Sequence, residues 1–150
     1  MTGASGPPTG RDEGFAAWLA MNEYLVEEFL DNDIANMPEE PFSEEGLRVA
    51  EADALRRFDA PEQALALPNR DLYDKYVRFI GEAIIRSLGG TWTNRPLHDD
   101  GKAYLGLSLP WRKEPLTIPT LFTAALARRT GDEWAFVYRN LRQRRDADQR

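Results

Sequence analysis

The sequence predicts an α+β domain in which N-terminal helices, a long central helix, a three-stranded antiparallel meander and two C-terminal helices follow one another. Three observations predict it. In Arg70–Leu88 the apolar residues Leu72, Tyr73, Tyr76, Val77, Ile80, Ala83, Ile84 and Leu88 recur at spacings of three and four, the stripe of an amphipathic helix. Past Gly89-Gly90 the period falls to two, with Leu105, Leu107 and Leu109 alternating with Gly106 and Ser108. From Pro119 helical spacing returns in Leu121, Phe122, Ala125 and Leu126.

Residues 1–12, rich in Gly, Pro, Ser and Thr, are expected to form a disordered leader before a single domain over residues 13–145 and a frayed tail over 146–150. Phe15, Trp18, Leu19, Asn22, Leu25, Val26 and Phe29 then mark one helix face to about Leu30, with Asn22 its polar member. Glu23, Glu27 and Glu28 lie off that stripe and are expected to face water. Asp31-Asn32-Asp33 lacks the glycine and later glutamate of a calcium loop and reads as a polar helix end.

Asn36–Phe42, with two prolines, is a connector, and Ser43 an N-cap with Glu44 and Glu45 in the first turn. Gly46 stands where a capping box needs Glu or Gln. Leu47, Ala50, Ala54, Leu55 and Phe58 form the apolar face of this second helix.

Asn69 is expected to cap the central helix and Gly89-Gly90 to stop it. Pairs at i,i+4 (Asp71 with Lys75, Asp74 with Arg78, Arg78 with Glu82, Glu82 with Arg86) predict a wet side opposite the core side. Gly81 in mid-helix costs about 1 kcal/mol relative to alanine unless something packs closely there. That predicts a strand backbone crossing at Gly81. The meander follows: Thr91–Thr93, a turn over Arg95–Gly101, the leucine strand, and Arg112–Thr117 shortened or confined to an edge by Pro110 and Pro115. Pro119 opens a helix that Gly131 ends, and Asp132 caps a last segment. Trp134–Tyr138 reads as helix or as strand, and Arg142–Arg150 is too polar to pack.

The 150 residues, 42% hydrophobic and 29% charged, describe a globular chain long enough to bury a core. With no cysteine, disulfides, thiolate nucleophiles and thiolate metal sites are excluded. No signal-like or bilayer-spanning run occurs, so a cytoplasmic location without membrane contact is expected. The net charge of −6 is unevenly shared. Residues 1–59 hold 14 of the 25 acids and 4 of the 19 bases, or −10, leaving +4 for the rest. That acidic half disfavours nucleic acid and suits a basic protein surface.

The chemistry-bearing groups are few. His98 is the sole histidine, and neighbours in one turn such as Asp99 and Asp100 seldom converge on one ion, so no metal site is expected. Nothing calls for a cofactor. Glu82 reads first as structural, bonded by Trp92 or a strand N–H or paired with Arg78 or Arg86; carboxylate catalysis, the lesser alternative, would have to use it with Asp71 or Asp74. Trp18 and Trp134 lie on helical stripes and read as core. Trp111, in a turn beside Pro110 and before Arg112-Lys113, reads as an interface anchor. Arg128, Arg129, Arg139, Arg142, Arg144 and Arg145 offer either a phosphate-binding surface or a dock for the acidic N-terminal helices.

Ile80-Gly81-Glu82, Gly89-Gly90-Thr91-Trp92 and Ile118-Pro119-Thr120, within Tyr73–Leu141, resemble a loose group of small bacterial proteins, some of them similar to immunity proteins of toxin systems. The resemblance implies helix–meander–helix order and carries no catalytic residue. The leading expectation is a non-enzymatic module that binds a basic protein, in the manner of an immunity or antitoxin-like inhibitor, through Glu23, Glu27, Glu28, Trp111 and Arg112. A carboxylate enzyme and a nucleic-acid accessory protein are the alternatives.

Overall fold

The computed structural model describes residues 10–96 and 103–149 of the chain. Helices α1 (Gly10–Ala20) and α2 (Asn22–Glu28) lead through a π-helical turn, Phe29–Asp33, to α3 (Glu44–Arg57) and the short α4 (Pro61–Leu65). The central helix α5 (Arg70–Leu88) follows. Strands β1 (Thr91–Pro96), β2 (Ala103–Ser108) and β3 (Leu116–Thr117) precede α6 (Ile118–Arg128) and α7 (Glu133–Asp148). The expected α+β order is therefore the observed one. The His98-Asp99-Asp100 turn lies outside the described residues.

The three strands form an antiparallel sheet in the order β1-β2-β3, with Trp92 opposite Leu107 and Leu107 opposite Leu116. The third strand is two residues long rather than the six expected, because Pro115 has no N–H for a ladder and α6 begins directly after Thr117. Gly106 is required here, since a Cβ would stand 2.6 Å from the Leu116 carbonyl oxygen.

Helix α5 is buried all round over its middle, and the expected wet face survives only in part, with Asp71 and Arg86 exposed toward its two ends and Arg78 buried. Tyr76 through Gly81 are consecutive buried residues. Tyr76 meets Phe29 edge-on at 5.0 Å and Phe122 at 5.5 Å, and Phe122 stacks on Trp134 at 5.7 Å. Fully burying a side chain of this kind contributes about 1.5–3 kcal/mol, so this cluster is the main cohesive element. Gly81 receives the Trp92 indole rather than a strand backbone: a Cβ there would fall 2.1 Å from the ring.

The polar side of α5 is covered by α1 and α2. Arg78, 3% exposed, donates to Asp74 at 2.6 Å, to the Trp18 carbonyl at 2.8 Å and to the Asn22 side chain at 3.3 Å. A buried guanidinium persists only when its donors are matched in this way. Lys75 turns from the expected Asp71 to Glu28 at 2.5 Å and Asp33 at 2.8 Å. Glu82 pairs with Arg86 at 3.4 Å and not with Arg78.

The ends of the helices show how the elements are joined. Ser43 accepts from the Gly46 N–H at 3.1 Å, as a serine N-cap should. Gly46 is dictated by the Pro41 carbonyl, 1.7 Å from where a Cβ would lie. Asn69 makes no side-chain cap; it donates to the Gln63 carbonyl at 2.8 Å, since the 3-10 turn Leu67–Asn69 already feeds α5. Helix α6 ends on Arg129, in the left-handed region at φ 55, two residues before the expected Gly131. The Arg129 guanidinium reaches the carbonyls of Leu55 (2.8 Å), Phe58 (3.0 Å) and Asp59 (3.0 Å), at the negative end of α3.

Glu51, 0% exposed, accepts from the N–H groups of Trp134 at 2.8 Å and Glu133 at 3.1 Å. It thereby caps α7 from across the core, in place of the expected Asp132 side chain. Trp134–Tyr138 is helical, and α7 runs on through the segment expected to fray. Arg145 docks that end by donating to the Ser87 carbonyl at 3.0 Å. Likewise Gly10–Asp12, expected in the leader, already belong to α1, and one continuous first helix is interrupted by a turn at Met21.

Candidate partner-binding surface

The α1–α2 junction carries the acidic residues expected to face a partner. Glu23 and Glu27 are exposed there. Large apolar side chains stand among them: Leu19 is 37% exposed, Met21 45% and Tyr24 58%. Leu19 was expected on the buried stripe. The turn at Met21 separates α1 from α2, and Leu19 stands exposed just before it. Of the five exposed large hydrophobics among the described residues, three fall within these six positions. An exposed aromatic and a methionine rimmed by charge have the composition of a protein interface.

Glu28 is placed differently from its neighbours. It lies between Lys75 and Tyr24, half-buried, and bonds to Lys75 and then to Tyr24 hold its carboxyl below the usual range. The Tyr24 hydroxyl is raised by its bond to Glu28 and by that residue's charge. Burial works to lower Lys75, but the bonds to Asp33 and Glu28 outweigh it and raise the ammonium. Glu28 therefore orients Tyr24 and fastens α2 to α5, and it is not the freely solvated acid that was expected.

Trp111 and Arg112 lie elsewhere. Their turn closes through the Arg112 N–H on the Leu109 carbonyl at 3.0 Å, and the Arg112 side chain donates to the Glu114 carbonyl at 3.0 Å. Trp111 is half-buried and packs against the core, not exposed as an anchor would be. With Val137, Asn140, Leu141 and Arg144 it lines an open groove of about 820 Å³ against α7. None of Glu23, Glu27 and Glu28 lines it. The residues first grouped as one partner-binding set thus divide between two surfaces.

The carboxylates of the catalytic alternative do not converge. Asp71 and Asp74 share a small cavity of about 270 Å³ with Glu28 and Lys75, and Glu82 does not line it. Asp74 is occupied by the Trp18 indole N–H at 2.7 Å and by Arg78. Among the described residues no group of three or more His, Cys, Asp or Glu is placed to hold a metal ion. No described helix is long and apolar enough to cross a membrane.

The C-terminal arginines are mostly engaged within the molecule. Arg128 pairs with Glu133 at 2.7 Å, and Arg139 bridges Glu44 and Asp132 at 2.9 Å each. Arg142 approaches Glu44 at 3.7 Å. Glu44 is desolvated, which would raise it, yet its bonds to Arg139 and Arg48 hold it low. The acidic α3 is thus the dock for α7.

Sequence reasoning missed Tyr24 and Met21 as exposed apolar residues. Their signal was present: the two stand three apart, outside the main stripe, in phase with Glu28. It also missed Asn140, and it did not join Arg144 to the Trp111-Arg112-Lys113 turn, a juxtaposition that only the tertiary fold makes. Comparison with protein-family models, with curated proteins and with solved structures found no match.

Proposed function

We propose that this chain is a non-enzymatic protein-binding module, an immunity or antitoxin-like inhibitor working in the cytoplasm, that masks a basic protein through its α1–α2 surface. One observation carries the reading: of the five exposed large apolar residues among the described ones, Leu19, Met21 and Tyr24 stand together among Glu23 and Glu27, whereas Leu67 and Phe136 lie elsewhere in the chain. Apolar contact supplies affinity in such an interface, and the acids supply steering and register toward a basic partner. The engagement of Asp74 by Arg78 and of Glu82 by Arg86, with Glu82 outside the cavity that Asp71 and Asp74 share, also favours binding over catalysis.

The test is capture from cells of the source organism, using the wild-type chain and the Glu23→Lys/Tyr24→Ala/Glu27→Lys variant as parallel baits. The reading expects a basic protein held by the wild type and absent from the variant. Identical captures by the two baits would refute it.

A further inference from the structure

Cations in this molecule are seldom left alone, and the exceptions cluster. Among cationic side chains that the structure describes, Arg70, Arg112, Lys113, Arg129 and Arg144 form no ion pair with a described residue. Arg70 and Arg129 donate to backbone carbonyls of other helices, and Arg112 to the Glu114 carbonyl of its own turn. Arg112, Lys113 and Arg144 all line the groove between the Trp111 turn and α7. Trp111, Val137 and Leu141 give its lining an apolar part beside these charges, and its volume of about 820 Å³ accommodates several residues of extended chain.

From this juxtaposition we infer that the groove binds an extended acidic peptide segment of a partner protein, with an apolar side chain laid on Trp111. The surface is separate from the α1–α2 face and stands without the function proposed for that face. Opposite charge chooses the occupant: Arg112, Lys113 and Arg144 outnumber the groove's own Glu114 and Asp148 and pair with no described carboxylate, so a ligand's carboxylates can take them.

Glu114 and Asp148, which also line the groove, choose between classes of polyanion. A polypeptide brings N–H donors as well as carboxylates, so it satisfies both the cations and these two acids. The phosphates of a nucleic acid offer the groove only acceptors and are repelled by these two acids. Trp111 Nε1 adds a further demand. It is shut away from water with no hydrogen-bond partner among the described residues. A ligand that reaches it must accept from this N–H.

The experiment uses the full chain on arrays of short peptides of varied charge and apolar content, with hits measured by fluorescence anisotropy beside a single-stranded oligonucleotide. The expected hits are rich in Asp and Glu with one leucine or aromatic residue. They weaken about tenfold for Lys113→Glu/Arg144→Glu, which alters only exposed positions and leaves the melting temperature unchanged. Binding that ignores peptide charge, persists in that variant or favours the oligonucleotide overturns the inference. So does sedimentation showing that a second copy of the chain fills the groove.

Discussion

The Trp92 indole occupies the space that a side chain at Gly81 would need, with Cζ2 and Cη2 each 2.1 Å from an ideal Cβ. The ring is backed by Trp18, edge-on at 4.8 Å, so it cannot retreat freely. Gly81→Ala gains about 1 kcal/mol of helix propensity and incurs about 1–3 kcal/mol of overpacking. Net destabilisation is expected in urea unfolding. Combining it with Trp92→Ala should cost less than the sum of the two single changes, because the clash goes with the ring.

Trp18 is what fastens α1. None of the described α1 side chains is buried, yet Trp18 donates to Asp74 at 2.7 Å and stacks under Arg78 at 4.0 Å, while its carbonyl accepts from Arg78. Trp18→Ala should therefore release the helix locally. Hydrogen exchange is expected to quicken over residues 10–20 while the interior of α5 keeps its protection. Unchanged exchange over that stretch would show that other contacts hold it.

Glu51 gives stability a pH dependence of unusual sign. Burial pushes its carboxyl up, the Trp134 and Glu133 N–H groups oppose the shift, and the charges of Glu133 and Asp132 add to it. The folded state then holds the proton more tightly than the unfolded chain. Its contribution is full below the ordinary value of 4.5 and is lost as pH rises through the folded value. Glu28, Glu44 and Asp132, all lowered, act oppositely, losing their contributions as pH falls through their folded values. The difference in unfolding free energy between wild type and Glu51→Gln isolates the first effect, and it should shift against the wild type as pH rises above 4.5. A flat difference would mean that Glu51 does not titrate abnormally.

Arg129 combines an unfavourable backbone with a favourable side chain. Left-handed φ costs a non-glycine residue about 1–2 kcal/mol, and three carbonyls at the end of α3 offset it. Both Arg129→Ala and Arg129→Gly lose the guanidinium, but glycine relieves the backbone. Both should lower stability, alanine by about 1 kcal/mol more than glycine, as read from urea midpoints.

The parts of the fold legible in the sequence were those in which one local period dominates. Leu72 through Leu88 specified α5, and the alternation over Leu105–Leu109 specified β2, because burial on one face leaves its spacing in the chain. What stayed hidden depends on which distant element arrives. Arg78 reads as a surface residue until Trp18 and Asn22 close over it, and the polar end of α7 reads as a frayed tail until Arg145 finds the Ser87 carbonyl. The candidate surface was half legible. Charge marked Glu23 and Glu27, but nothing local foretold that Lys75 would draw Glu28 inward or that Trp111 would pack against α7.

The measurement closest to the central claim is the affinity of the captured partner for the wild-type chain and for Glu23→Gln/Glu27→Gln across a salt series. The account predicts that wild-type affinity falls steeply with salt and that the variant binds more weakly with a flatter dependence. Equal affinities and equal slopes for the two proteins would contradict it.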